Sequence, residues 1–397
     1  MTVVPHPLTL PTHRENLFDP PHELAGVPPI SPLRLAGGVT GWLVTGHALA
    51  KELLSGDAMS SELRNVTMAD PRLDEQFKQV VSAPGDFVNT DPPEHTRYRK
   101  LLTGQFTVRR MKVLEPRIRE LVDTRLDALA AAGPGSDLVR EFAIPVSSTA
   151  ICELLGVPEA DRGEFQDVAQ AILHFDTDPQ EVAAGHGKLR EFVGRLVAAK
   201  RAAPGDDLVS GLIANSELAD AELVTIANLL LIAGHETTAN MFGLGTFALL
   251  RHRDQWEALR NDPGLMPQAV EELMRYLTIV GGSSGLPRVA KVDLRLGGAH
   301  IRAGQTVLVA LPTVNRDPAL AENPGSFDVT RPRTHHLAFG YGIHQCLGQQ
   351  LARVELQIGF TRLVERFPDL RLAVPDEQVP LRTDMLIYGV HALPVTW

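Results

Sequence analysis

The sequence contains one cysteine in a setting that favours a metal-binding thiolate. The stretch F-G-Y-G-I-H-Q-C-L-G, residues 339–348, carries Cys346 among glycines that permit a tight loop. Apolar residues recur at helical spacing from Leu347 to Ile358, so Cys346 is predicted to lie at a helix entrance. Unpaired N–H groups and the positive end of the helix dipole favour an anion there. These residues predict one sulfur ligand and one metal ion.

Three other interpretations of this segment are a disulfide, a zinc site and a plain turn. Cys152, the only other cysteine, lies in an apolar stretch where a free buried thiol is expected. A structural zinc site needs about four ligands, whereas His344 and Cys346 supply two on a turn too tight for both to reach one ion. A glycine-flanked turn without a ligand stays open on these residues alone.

The ten-residue segment resembles the haem-binding signature of the cytochrome P450 family. The resemblance implies that Cys346 is the axial ligand of haem b and donates electron density to the iron. It also implies that Phe339, Gly340 and Gly348 lie against the cofactor. The implied fold is mainly α with a small β region, the triangular helical fold that encloses a buried haem. The closing sequence H-A-L-P-V-T-W is similar to actinomycete secondary-metabolism members.

A long apolar run from Asp220 to about Leu250 predicts a helix that crosses the whole domain. Asp220 is predicted to be its N-cap, and Arg251 suits its last turn. At about 1.5 Å per residue, such a helix would be roughly 45 Å long.

The sequence A-G-H-E-T-T, residues 233–238, interrupts this helix near its middle. A threonine hydroxyl can donate to a carbonyl one turn earlier, so a bent but ordinary core helix is one interpretation. The resemblance implies instead that Glu236 and Thr237 deliver the protons that oxygen activation consumes. Ala233 and Gly234 match the positions at which the family accommodates oxygen.

The sequence E-E-L-M-R-Y places Glu272 and Arg275 three residues apart, on one face of a predicted helix. A solvated salt bridge of small value is one interpretation of this pair. The resemblance implies that the two residues match the family's E-x-x-R motif. Arg331 is then the third member, and the three brace the cysteine side of the haem.

A stretch that reads D-P-P-E-H-T-R-Y-R begins at Asp91, which is predicted to be a helix N-cap with prolines in the first turn. His95 and Arg99 then lie one turn apart on one helix face. A basic surface stripe is the alternative interpretation. The resemblance implies that His95 and Arg99, together with Arg288 and His344, pair with the haem propionates through charge-assisted bonds.

Composition places the chain among globular proteins that bind no nucleic acid. The 397 residues are 44% hydrophobic and 22% charged, and the net charge is −10. No linker, repeat or low-complexity tract divides the chain, so residues 41–397 are predicted to be one domain with 1–40 as its irregular N-terminal segment. No run reaches the length of a membrane span, which predicts a cytoplasmic protein without a membrane anchor. The chain is also predicted to be a monomer.

Helical patterns dominate between Pro92 and Tyr276, and shorter apolar pieces follow them. The chain up to about Leu35 is predicted to be irregular, and a last hairpin is predicted after Leu381. The other predicted elements are a strand at 42–45, a helix at 47–54 and strands at 292–296, 300–301 and 306–311.

The resemblance implies a haem-thiolate monooxygenase that hydroxylates or epoxidises a mid-sized lipophilic compound such as a macrolide, polyketide, terpenoid or drug-like molecule. Electrons would come from NAD(P)H through a reductase and a ferredoxin of the 2Fe–2S or a similar type. Basic residues that would attract an acidic partner are Arg97, Lys100, Arg109, Arg110, Lys112 and Arg353. The apolar residues assigned to the substrate pocket, which are equally compatible with core packing, are Phe87, Val88, Leu173, Phe175, Leu230, Ile279, Val280 and Ile387.

Two other activities compete with this expectation, and a third is suggested by a motif whose structural context does not fit. A peroxide-driven peroxygenase would keep the cysteine loop but usually lacks the acid–alcohol pair that Glu236 and Thr237 provide. A non-catalytic haem-binding partner or sensor would keep only the ligand. A serine hydrolase is suggested by G-x-S-x-G around Ser283, but that motif needs a strand before it and a helix after it, and here the predicted order is reversed.

Overall fold

The fold was analysed in a computed structural model that describes residues 6–78, 82–163, 165, 179–281, 285–383 and 385–397. The chain divides into two units. Unit one comprises the residues up to Ser82, Val88–His95 and Glu271–Cys346. Unit two comprises Ala83–Phe87, Thr96–Val270 and Leu347–Trp397.

Helices account for most of the regular structure in the described ranges. In chain order they are α1 (His47–Ser55), α2 (Pro71–Lys78), α3 (Glu94–Thr103), α4 (Val108–Ala132), α5 (Ile144–Leu155), α6 (Pro179–Ala202), α7 (Leu208–Asn215), α8 (Asp220–Arg251), α9 (Arg253–Asn261), α10 (Met266–Leu277), α11 (Leu311–Val314) and α12 (Gln349–Arg366). The strands are β1 (Ile30–Arg34), β2 (Thr40–Val44), β3 (Met59–Ser60), β4 (Leu286–Ala290), β5 (Leu294–Leu296), β6 (Ala299–Ile301), β7 (Thr306–Val309), β8 (Arg371–Leu372) and β9 (Val395–Thr396).

Unit one is built on a five-stranded sheet with the strand order β1-β2-β7-β4-β3. Only the β2–β7 pair is parallel, and its register aligns Trp42 with Val307. Strands β5 and β6 form a separate antiparallel pair. One side of the sheet packs with α1 and α11 into an apolar core that includes Val44, Leu53 and Val309. Leu337 is buried in the same core and Tyr341 packs against it, so this apolar burial holds the start of the cysteine loop to the sheet.

Unit two is organised around α8, which is buried along most of its length. Helices α5, α6 and α12 pack against α8. The Phe242 ring lies 5.2 Å from that of Phe142 and 5.4 Å from that of Phe360, as measured between centroids. Such aromatic contacts add specific geometry to the apolar burial, so they define how α8 packs against α12 and against Phe142.

The start of α8 differs from the sequence prediction by one residue. Asp220 is the first helical residue, and the N-cap position belongs to Ala219. The Glu222 carboxylate accepts a hydrogen bond from the Ala219 N–H at 2.8 Å. The prediction that Asp220 caps the helix was therefore wrong. The Glu222 carboxylate, three residues after Ala219, accepts from the free Ala219 N–H group instead.

Asp91 is also not the cap of α3. The helix begins at Glu94, so Pro92 and Pro93 lie in the turn before it rather than in its first turn. The Asp91 side chain accepts from the Ser61 N–H at 2.9 Å and so ties this turn to the end of β3. The Asp91 carboxylate therefore makes a long-range contact with Ser61 rather than the local helix cap that the sequence pattern indicated.

Short strands differ from prediction where proline is present. The predicted irregular segment up to Leu35 contains β1, the edge strand of the five-stranded sheet. Pro32 is tolerated there because β1 pairs along its length with β2 and contacts Leu8 on its other side only through an isolated bridge. The strand predicted to run to Leu311 ends at Val309, because Pro312 lies in the first turn of α11. The predicted last hairpin is reduced to an isolated bridge between Leu381 and Val390.

Candidate active site

The cysteine loop in unit one is shaped by glycines and by its own backbone. Gly342 has a φ of 76°, and a Cβ on it would overlap the Leu54 carbonyl at the end of α1. The Cys346 N–H donates to the Phe339 carbonyl at 2.8 Å, which closes the loop. Cys346 is exposed and precedes the first residue of α12, Gln349, by three positions. The thiol is thus presented ahead of a helix N-terminus, as the sequence predicts.

The second cysteine is not available for this chemistry. Cys152 is completely buried in α5 and is a free thiol. Burial raises the pKa of Cys152 to about 12, because a thiolate would lose its hydration there. Cys152 therefore stays protonated at neutral pH, which makes it a poor ligand and a poor nucleophile.

Three of the predicted propionate partners lie in unit one. His95 is 2% exposed, and its ring centroid is 4.1 Å from that of His344. Arg288 lies on β4, where its Nη1 donates to the Pro287 carbonyl at 2.7 Å. Loss of hydration lowers the pKa of Arg288 to about 10, and the Asp91 charge acts in the opposite direction. Arg288 is therefore still a cation at neutral pH, and within the described ranges it forms no salt bridge.

Arg99, the fourth predicted partner, lies in α3 within unit two and is half-buried. Its carbonyl accepts from the Thr103 hydroxyl at 2.7 Å, as expected one turn along a helix. The roles of Arg99, His95, His344 and Arg288 toward a propionate stay predictions.

The middle of α8 has an exposed part of its surface where the acid–alcohol motif lies, and this part, at Ala233 and Thr237, is called the opening. Ala233 is exposed and Thr237 is half-buried, whereas the turns on either side are mostly buried. The Thr237 hydroxyl donates to the Ala233 carbonyl at 2.7 Å, which is the bond one turn back that the interpretation as a bent but ordinary core helix includes. Gly234 packs so closely on Ile151 of α5 that a Cβ would lie 2.8 Å from its side chain. The helix thus presents one carbonyl and one hydroxyl on an otherwise apolar surface.

Glu236, the acid of this motif, faces away from solvent and is 2% exposed. Its Oε2 accepts from Arg382 Nη1 at 2.7 Å and from Asn240 Nδ2 at 3.3 Å. Sequence reasoning missed Arg382. A buried carboxylate on an apolar helix requires a partner, but Arg382 is 146 residues away and no local pattern singles it out.

Glu272, Arg275 and Arg331 are brought together in unit one. Arg275 is completely buried, and its Nε and Nη2 donate to the two oxygens of Glu272 at 2.7 Å each. Arg331 Nε donates to Glu272 Oε1 at 3.0 Å. Arg275 also donates to the carbonyls of Asn315, Pro324 and Ser326. The interpretation of the pair as a solvated surface bridge is wrong, because the guanidinium and the carboxylate are both buried.

The predicted pocket residues fall into several classes of exposure. Phe87, Leu230 and Ile279 are buried, Val88 is 46% exposed, and Val280 and Ile387 are half-buried. Leu173 and Phe175 lie outside the described residues, as does Ser283 of the hydrolase-like pattern. That pattern follows α10 and precedes β4, so the strand-turn-helix order of a nucleophile elbow is not met.

Comparisons with known proteins identify the family. The family model for Cytochrome P450 matches residues 180–391. Cytochrome P450-SU2 of Streptomyces griseolus is 42% identical over 401 residues, with 100% of this chain and 98% of the relative covered. Pentalenic acid synthase of Streptomyces avermitilis is 44% identical over 403 residues, with 100% and 99% covered. The chain belongs to the cytochrome P450 family.

The fold of this cytochrome P450 agrees with a solved structure over almost its whole length. The crystal structure of CYP105P1 in complex with filipin I matches with a TM-score of 0.92 and 45% sequence identity, covering 99% of each chain. The prediction of a mainly α fold with a small β region is confirmed. Among the helices of the described segments, none has the length and apolar character needed to cross a membrane.

Members of the family carry haem b, and their electrons come from NAD(P)H through redox partners. The donor set of this chain fits that cofactor. Cys346 offers a sulfur ligand of the kind that haem iron accepts, and it is exposed in its loop. Arg288 offers a partly desolvated cation with no salt bridge among the residues described, which suits a propionate. Both observations support the monooxygenase class to which the family belongs.

Proposed function

We propose that this cytochrome P450 inserts one oxygen atom of O2 into a C–H or C=C bond of a mid-sized lipophilic compound. Macrolides, polyketides, terpenoids and drug-like molecules are the substrate classes proposed. The observation that carries the proposal is the acid–alcohol pair on α8, in which Thr237 is held beside an exposed Ala233. The other oxygen atom leaves as water, so each turnover consumes two electrons and two protons in addition to O2.

Different residues of the chain are proposed to have different roles in this reaction. Haem b, when bound, supplies the activation of dioxygen. Cys346 would hold its iron, and His95, Arg99, Arg288 and His344 would hold its propionates. Thr237 keeps a hydroxyl at the opening in α8, and Glu236 lies next to it in sequence as the acid that passes protons on. Ala233 leaves space at the same turn because its side chain is short, whereas Gly234 allows α8 to approach Ile151 closely.

Names among the relatives support a lipophilic substrate. One relative is a pentalenic acid synthase, and the structure of CYP105P1 contains filipin I. Phe87, Leu230 and Ile387 in unit two, with Val88, Ile279 and Val280 in unit one, are the residues proposed to contact the substrate. Their apolar character suits a compound that binds by loss of water-exposed surface.

Isotope labelling tests the proposed reaction. A library of lipophilic compounds is first screened for the low-spin to high-spin change of the haem, and the best compound is incubated with ferredoxin, reductase, NADPH and labelled dioxygen. We expect one labelled oxygen atom in the product and the other in water. Product without label contradicts the proposal, and product with peroxide but none with ferredoxin establishes a peroxygenase instead. A spectral change without any product indicates a sensor.

Replacing Thr237 with alanine is expected to uncouple electron consumption from product formation. Without the hydroxyl, proton delivery is disordered, so NAD(P)H is still oxidised but reduced oxygen is released as peroxide. Product per NAD(P)H should fall about 100-fold, the lower end of the usual contribution of acid–base groups. Thr238→Ala is the matched control, because Thr238 is 4% exposed and does not lie in the opening. Normal coupling in Thr237→Ala would count against the proton role.

We propose a ferredoxin as the electron donor, docking on a basic surface of unit two. Arg109 and Lys112 are exposed in the first turns of α4, beside Val108 and Val113, which are 59% and 71% exposed. Apolar residues ringed by positive charge suit an acidic protein surface. Arg97, Lys100, Arg110 and Arg353 complete the predicted surface, although Arg97 also pairs with Glu222 at 2.7 Å.

Reversing charge on this surface is expected to slow reduction by ferredoxin. Arg109→Glu combined with Lys112→Glu should lower the rate of ferredoxin-dependent reduction by about 10-fold or more at low salt, because electrostatic steering is lost. Reduction by dithionite should not change. Arg140→Glu is the control, since the Arg140 side chain is 82% exposed and lies outside the surface. Equal rates in the double variant and the control would contradict this docking surface.

We also propose that residues 41–397 form one catalytic domain, with residues 1–40 as its N-terminal segment. The support is that relatives align over the whole chain rather than over one part of it. A monomeric state and a cytoplasmic location likewise stay predictions. Size-exclusion chromatography with light scattering checks the former directly.

A further inference from the structure

The two oxygens of the Glu236 carboxylate have different surroundings in unit two. Oε2 accepts from Arg382 Nη1 and Asn240 Nδ2. Oε1 is buried and forms no hydrogen bond with any residue that the structure describes. It lies 3.8 Å from His235 Nδ1, and His235 is completely buried beside the Phe165 ring. One oxygen is thus fixed by a cation, and the other has no hydrogen-bond partner among the residues described.

The cation comes from the segment 381–390 near the chain end. Arg382 is 4% exposed, and its N–H donates to the Gly389 carbonyl at 2.9 Å. Gly389 packs so closely on Asn240 that a Cβ there would overlap the amide. Since Glu236 and Asn240 are four residues apart on α8, the segment is joined to the helix at two successive turns. The same segment carries Ile387, a predicted substrate contact.

We propose that Arg382 is a positioning residue for Glu236. It holds Oε2, and so leaves Oε1 as the oxygen that receives a proton and releases one in each cycle. The inference rests on the proposed role of Glu236 in proton delivery. Its physical basis is that a buried carboxylate stays charged when a guanidinium compensates for its lost hydration. Arg382 does not contact the reacting atoms in this account.

Removal of the guanidinium should leave a buried carboxylate that takes up a proton permanently. In Arg382→Met, product per NAD(P)H is expected to fall about tenfold, and the solvent isotope effect on product formation should increase. Arg382→Lys keeps the charge and should recover most of the coupling. Arg251→Met is the matched control, because Arg251 also joins α8 to the C-terminal region by pairing with Asp376, but it lies at the far end of the helix.

Infrared spectroscopy of the resting enzyme gives a readout that does not depend on turnover. The difference between Arg382→Met and the same variant with Glu236→Gln should show a protonated carboxyl band. The difference between wild type and Glu236→Gln should show an ionised carboxylate. If Arg382→Met does not fold, Arg382→Gln, which keeps a hydrogen-bond donor without the charge, takes its place in both measurements.

The outcomes separate this inference from the proposed function. Loss of coupling together with the protonated band supports Arg382 as a positioning residue. An ionised Glu236 in the variant overturns the inference even if coupling falls, since Arg382 is then only an anchor for the 381–390 segment. Unchanged coupling overturns it as well. If the wild-type enzyme incorporates no labelled oxygen, the proposed function fails, whereas the infrared result still decides whether Arg382 controls the charge of Glu236.

Discussion

Product formation is expected to fall at least 100-fold when Cys346 is replaced by serine, roughly 3 kcal/mol of transition-state stabilisation. An alcohol has a far less acidic proton than a thiol and is a harder ligand, so it does not supply the electron density that a thiolate gives to haem iron. Because Cys346 is exposed in its loop, the substitution should change the free energy of unfolding of the haem-free chain by no more than about 0.5 kcal/mol. Turnover and haem content are measured on the haem-containing enzyme, and urea unfolding is measured after haem extraction.

Cys152→Ala is the control for this prediction. It removes the other cysteine, which is buried in α5 and protonated, so it should lower stability by about 1–3 kcal/mol through the cavity it leaves. Its turnover per haem should equal that of the wild type. Wild-type turnover in Cys346→Ser, or loss of turnover per haem in Cys152→Ala, would show that the wrong sulfur has been assigned.

Replacing Arg275 with methionine is expected to have the largest effect on stability. The substitution leaves the Glu272 charge buried and removes the donor from three carbonyls that lie after α11. Breaking a buried ion pair by removing one partner costs about 3–5 kcal/mol, which is a large share of the roughly 5–15 kcal/mol by which native proteins are stable. We expect little haem-containing protein and a correspondingly lower urea midpoint.

Two further variants define what Arg275 contributes. Arg275→Lys keeps the charge but loses the planar fork that binds both Glu272 oxygens, so its stability should be intermediate. Arg260→Met removes an exposed arginine that pairs with Glu257, and it should cost less than about 1 kcal/mol. An Arg275→Met protein within about 1 kcal/mol of the wild type would mean that the triad does not hold this region together.

Local rules predicted the parts of the site that depend on near neighbours in sequence. The Thr237 bond to Ala233 follows from helix geometry, and so does the Glu272–Arg275 pairing on one face. The position of Cys346 ahead of α12 follows from the glycines and the apolar spacing after it. Arg331 is 59 residues from Glu272, and its inclusion depended on resemblance to the family rather than on local pattern.

Contacts between distant segments account for what the sequence did not predict. Asp91 looked like a helix cap but bonds to Ser61, 30 residues earlier. Glu236 was assigned to proton delivery by resemblance alone, and its carboxylate lies buried against Arg382, which no local pattern indicated. In both cases the partner of the side chain is set by tertiary packing that periodicity does not encode, and the role of Glu236 in proton delivery stays a prediction. Substrate contacts are hardest to predict, because apolar pocket walls and apolar core have the same composition.

The carbon monoxide difference spectrum of the reduced, purified enzyme tests thiolate ligation by Cys346 most directly. Ligation by the Cys346 thiolate predicts the long-wavelength Soret band that distinguishes thiolate-ligated haem, with one haem per chain. A band at the shorter wavelength typical of histidine-ligated haem, or a colourless protein after expression with ample haem precursor, would contradict it.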